Sequence, residues 1–124
     1  MNYGVAHPGH GWGDLRAGIG EAILTAVLVA AIQLTLARAR TVRFTPLVAG
    51  FVVMILVWRA AAYTGAGLDQ PRILASDIIA WSYPSIEVYL IGPTIGAALA
   101  AAGLLLFHAW RPLTAKLFHD PFLP

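Results

Sequence analysis

The chain has 124 residues, 59% of them hydrophobic and only 11% charged, with a mean hydropathy of +0.74 and a formal net charge of +2. So little polar surface cannot cover a soluble domain of this size, and the composition points to an integral membrane protein. The scattered basic residues exclude a nucleic-acid footprint, which needs Lys and Arg clustered on one face, and the absence of cysteine excludes disulfides and thiolate metal sites.

Residues 1–16 form an expected outer N-terminal loop. Its first dozen residues hold no Lys or Arg and no apolar run, so the first helix is expected to target the chain itself. His7 and His10 stand in His-Pro-Gly-His, yet no carboxylate cluster accompanies them, and they read as solvated loop residues. The first span is predicted over 17–37, interrupted by Glu21, Thr25, Gln33 and Thr35. About 20 residues at a rise of 1.5 Å cross a hydrocarbon core roughly 30 Å thick. A basic linker with Arg38, Arg40 and Arg43 follows, and Pro46 opens a second span over 46–63. Arg59, near the far end of that span, either snorkels to the interface or pairs with Asp77 or Glu87.

Residues 64–80 are glycine-rich and polar, then apolar for a stretch too short to cross. If Pro71 opens a helix to Ala80, its rise is about 15 Å, half a bilayer core, and an extended segment before it descends a similar depth. That arithmetic fits a re-entrant hairpin, coil down and half-helix up; the alternative is a surface loop with an amphipathic turn. Irregular backbone at membrane depth must be buried in protein or line a wet cavity. The third span is predicted over 86–107, with a small-residue stripe of Gly92, Gly96 and Ala100 that lets helix backbones approach closely. Residues 108–124 form an expected tail carrying His108, Trp110, Arg111, Lys116 and His119. With three spans, the basic linker and the tail share one side. The positive-inside rule makes that side cytoplasmic and the N-terminus external, in a multi-pass plasma or inner membrane protein. Trp12, Trp81 and Tyr83 then mark the outer interface and Trp110 the inner one.

The order of these segments carries a resemblance. Glu21-x-x-x-Thr25 on the first helix, the Pro46-Leu-Val-Ala-Gly50-Phe51 helix, Thr64-Gly-Ala-Gly-Leu-x-x-x-Arg72 and Val88-Tyr-Leu-Ile-Gly92-Pro93-x-x-Gly96 follow one another at matching spacing. The pattern, from about Gly18 to Phe107, resembles the second half of an aquaporin, or major intrinsic protein. The resemblance implies an all-α membrane fold of three spans plus one re-entrant half-helix, half of an inverted-repeat channel. Where the family reads Asn-Pro-Ala-Arg, this chain reads Asp69-Gln70-Pro71-Arg72. A carboxylate accepts hydrogen bonds but cannot donate as the family's amide does, and its charge offsets the positive helix N-terminus. Because proline disfavours α geometry in its predecessor, Gln70 is expected to become the N-cap, with Pro71 at the first helical position, the half-helix starting one residue late and the cation barrier weakened or remodelled.

By the same resemblance, Arg72 reaches into the outer constriction with Val57 and Ala66, although Arg72 could instead be tied to loop carbonyls. Val57 and Ala66 are small, which implies a wider, greasier filter suited to glycerol-like neutral solutes. The carbonyls of Gly65, Ala66, Gly67 and Leu68 are the implied solute ladder, although paired glycines also occur in ordinary turns. Glu21, costly at membrane depth unless held, is the implied brace of the loop. No catalytic arrangement and no cofactor are expected, so an enzyme is not. The expected function is half of a channel for water or small neutral solutes, with the lipid bilayer as its setting. Three helices and one half-helix cannot enclose the pore, so a second channel half, as a homo- or hetero-oligomer, is the expected partner. The alternatives are a non-conducting interaction protein packing through its Gly92/Gly96 face, or a truncated remnant of a channel.

Overall fold

The structure, a computed structural model, describes residues 4–38 and 40–106. Four helices follow in order: α1 (Asp14–Leu36), α2 (Thr45–Thr64), α3 (Gln70–Ala80) and α4 (Ile86–Leu106), with a 3-10 turn at Val42–Phe44 before α2. Three segments, Asp14–Leu36, Val42–Thr64 and Ile86–Leu106, are long and apolar enough to cross a membrane. Phe107, His108, Trp110, Arg111, Lys116 and His119 lie outside the described residues.

Local chemistry sets the helix ends. Asp14 places an acid in the first turn of α1, where it complements the helix dipole, and α1 starts three residues before the expected span. Thr41 closes the linker by donating to the Thr35 carbonyl at 2.7 Å. Pro46 sits in the first turn of α2, where its missing N–H costs no helical bond. At the other end, Gly65 caps α2 in left-handed geometry at φ +85°.

α1 is the hub, packed against both α2 and α4, while α3 leans on α4. The α1–α4 seam depends on glycine. A Cβ at Gly92 would stand 2.8 Å from the Gly18 carbonyl oxygen, and one at Gly96 would overlap the carbonyl of Ala22. The Gly92/Gly96 face is therefore covered by α1 of the same chain. This corrects the expectation that an interaction protein could offer that face to another molecule. Large apolar side chains instead crowd the outer surface, among them Leu15, Trp58, Ile79 and Leu99, each more than 60% exposed. An apolar exterior of this kind suits lipid.

The N-terminal segment is not the free loop expected from its composition. Val5 and Ala6 are buried, and the Gly9 N–H donates to the Tyr63 carbonyl at 2.8 Å. The Trp12 and Tyr63 rings lie 5.5 Å apart between centroids. Together these contacts seat the segment on the end of α2. His7 stays exposed, as does His10.

Candidate functional site

Between α2 and α3 the chain makes an irregular descent whose backbone is held at three points. Thr64 begins it: its hydroxyl accepts from the Ala66 N–H at 3.1 Å. Glu21, fully buried on α1, then clamps the middle. Its Oε1 accepts from Gly67 N–H at 2.9 Å and its Oε2 from Leu68 N–H at 3.0 Å. Ala66 and Leu68 take left-handed φ angles of 45° and 51°, costing about 1–2 kcal/mol each for a residue with a Cβ. The Glu21 bonds hold the backbone in that conformation.

Tyr89 on α4 is the third point, a residue to which reasoning from residue order assigned no role. It is fully buried, and its hydroxyl donates to the Thr64 carbonyl at 2.7 Å. Its ring lies against the descending backbone: a Cβ at Gly67 would stand 2.7 Å from Tyr89 Cδ1, and one at Gly65 would stand 2.5 Å from the hydroxyl. Both glycines are thus required by close approach, Gly65 also by its positive φ. Of the four expected ladder carbonyls, Gly67 is engaged by the Asp69 N–H. Among the described residues no donor reaches the carbonyls of Gly65, Ala66 or Leu68.

The turn into α3 departs from expectation. Asp69, at φ −130° and ψ 108°, is the N-cap, Gln70 is the first helical residue and Pro71 the second. The Ile73 N–H closes the first bond on the Asp69 carbonyl at 3.2 Å. The expected N-cap at Gln70, with the helix starting one residue late at Pro71, is therefore wrong. The local preference imposed by proline is overridden by tertiary contacts: Gln70 Nε2 donates to the Leu90 carbonyl and to Thr94 Oγ1, both at 2.7 Å. Pro93, inside α4, removes the N–H that would have bonded the Tyr89 carbonyl and loosens the turn where Gln70 docks. A cavity of about 360 Å³ opens beside this turn, lined by Asp69, Gln70, Pro71, Thr94 and Thr25 among others.

These contacts fix the depth of the loop. Thr94 lies eight residues into α4 and Thr25 eleven into α1, about 12 Å and 16 Å along helices that cross a core of roughly 30 Å. α3 then spans eleven residues back toward the start of α4, a rise of about 16 Å. The chain thus runs as coil to about the middle of these helices and returns as a short helix.

The remaining expected residues are not gathered by contacts. Arg72 is exposed on the first turn of α3, and no hydrogen bond or ion pair engages it among the described residues, so it is not tied to the loop carbonyls. Val57 is half-buried two turns before the end of α2, and Ala66 is buried within the loop. The Arg59 guanidinium lies 5.3 Å from the centre of the Trp58 ring, and no ion pair joins it to Asp77 or Glu87. Asp77 is fully buried and neither carboxylate oxygen finds a partner among the described residues.

Comparison with known proteins agrees with this architecture. The family model described as major intrinsic protein matches residues 2–104. The chain is 31% identical over 119 residues to aquaporin TIP3-1 of Zea mays, covering 86% of this chain and 45% of that protein. It is 32% identical over 98 residues to a probable aquaporin TIP3-1 of Oryza sativa subsp. japonica, covering 77% and 36%. A fungal relative, aquaporin-5 of Botryotinia fuckeliana (strain B05.10), is 31% identical over 127 residues, covering 94% and 33%. The chain spans less than half the length of these curated relatives.

Proposed function

The chain belongs to the major intrinsic protein family, and from that premise we propose that it forms one half of a channel for passive passage of water or small neutral solutes. A second half in inverted orientation completes the path. The observation that carries the reading is the Glu21 clamp, which holds a loop whose Gly65, Ala66 and Leu68 carbonyls meet no donor among the described residues, between α1 and α4. Polar backbone there needs polar company, and a file of water or polyol molecules supplies it. The matched relatives named as aquaporins support water as one solute. Val57, Ala66 and Arg72 form the constriction in this reading, wide enough for glycerol-like solutes. In this reading the linker faces the cytoplasm of a cell whose plasma or inner membrane the chain crosses, with the N-terminus outside, an orientation that the arginines at 38, 40 and 43 favour.

The test is stopped-flow shrinkage of liposomes challenged with glycerol and with sucrose. The chain is reconstituted alone and together with the amino-terminal half of the maize relative. Glycerol entry above lipid-only rates, with sucrose excluded, is the expected result in at least the paired preparation. Lipid-only rates in both preparations would refute conduction.

A further inference from the structure

We infer that the cavity at the start of α3 binds a small cation rich in N–H donors, of the primary-ammonium class, at membrane depth. The inference rests on the half-channel reading and names a solute class for that same site. It follows from a count of donors and acceptors. Asp69, at the N-cap, brings a carboxylate that makes no capping hydrogen bond and only accepts. Gln70 spends both hydrogens of its amide nitrogen, one on the Leu90 carbonyl and one on Thr94 Oγ1, which leaves its oxygen as its free polar atom. Thr94 spends its own hydrogen on the Leu90 carbonyl at 2.6 Å. Pro71 and Pro93, also in the wall, have no N–H.

The second, independent observation is Thr25. Thr25 lines the same cavity from α1 and is only 6% exposed, and its hydroxyl has no hydrogen-bond partner among the described residues. A buried hydroxyl without a partner needs a ligand or solvent to satisfy it. The opposing positive field is the α3 N-terminus, equivalent to about half a unit charge against the full charge of Asp69. Arg72 neither lines the cavity nor pairs with Asp69 among the described residues. The wall is thus rich in acceptors and net negative, where the polyol-conducting pattern sets an amide donor. A compact ammonium matches it with charge and with several N–H groups at once. The cavity, about 360 Å³, has room for such an ion with accompanying water, at about 30 Å³ per molecule.

The full chain in lipid nanodiscs is titrated calorimetrically with methylammonium. Tetramethylammonium, which carries the charge without N–H donors, and sodium serve as comparisons, and glycerol entry is measured on the same protein in liposomes. Saturable methylammonium binding is expected, with little response to the other two ions. Asp69→Asn should weaken it about tenfold or more, the loss of one charge-assisted contact. Thr25→Val, a change of similar shape at a separate helix, should weaken it by a smaller factor. Equal binding by tetramethylammonium or sodium, or affinity unaltered by both substitutions, would overturn the proposal. Glycerol entry without methylammonium binding would remove the cation site and leave the half-channel standing. Methylammonium binding without glycerol entry, alone or with the complementary half, would do the reverse.

Discussion

Removing the Glu21 carboxylate isolates the interaction that holds the loop at depth. In Glu21→Ala the N–H groups of Gly67 and Leu68 lose acceptors now at 2.9 and 3.0 Å. An orphaned buried N–H costs about 1–3 kcal/mol, so the pair spans about 2–6 kcal/mol. Because Leu68 is only half-buried, the loss falls in the lower part of that range, roughly 3 kcal/mol. Ala66 and Leu68 add to the effect, because their left-handed φ angles cost about 1–2 kcal/mol each and relax once the clamp is gone. Local opening of the loop should therefore become favourable by about two powers of ten. Hydrogen exchange of the Gly67 and Leu68 amides, followed in nanodiscs by mass spectrometry or NMR, reads that change directly. Protection should fall by about a hundredfold at these two amides, with the α1 and α4 cores little affected. Protection unchanged within about threefold would refute the clamp, and with it the claim that Glu21 holds this conformation.

Five further substitutions probe the packing of the loop and of the α1–α4 seam. Gly67→Ala drives a methyl to 2.7 Å from the buried Tyr89 ring and should lower stability by about 1–3 kcal/mol; a thermal melt matching the parent protein would contradict that approach. Along α4, alanine should be worse at Gly96, where it overlaps the Ala22 backbone, than at Gly92, and harmless at Gly103, where nothing lies within 4 Å. Melting temperatures in that order check the seam, and Gly103→Ala should add about 0.5–1 kcal/mol from its helix preference. Asp77→Ala removes a buried carboxylate that has no partner among the described residues without adding volume, and should stabilise the protein by about 1–3 kcal/mol. A lower melting temperature would mean that Asp77 has a partner of consequence.

Much of this architecture could be read from residue order alone, because the signals were physical and local. Long apolar runs broken by few polar residues marked the three candidate spans, and Pro71 with the short segment behind it marked the half-helix. Glu21 stood out as a charge that had to be held. The start of α3 was misread for an equally physical reason: the rule about proline is local, whereas Gln70 is fixed by Leu90 and Thr94, about twenty residues further on. Gly92 and Gly96 announced a close helix contact, but spacing does not say which helix makes it. Tyr89 passed unnoticed because a tyrosine in an apolar span looks like any other, and its hydroxyl gains meaning only once the Thr64 carbonyl lies beside it. The N-terminal segment gave no warning of its docking, since Val5 and Ala6 are too small an apolar signal to separate from loop.

The depth of the loop tip decides between a buried passage and a surface turn. The chain has no cysteine, so single spin labels can be placed at position 69 and at position 81 and their depths compared by oxygen and nickel accessibility. Position 69 should lie near the bilayer midplane and position 81 near the interface, separated by up to about 18 Å for twelve residues of helix. Equal depths at the headgroups would contradict the re-entrant loop.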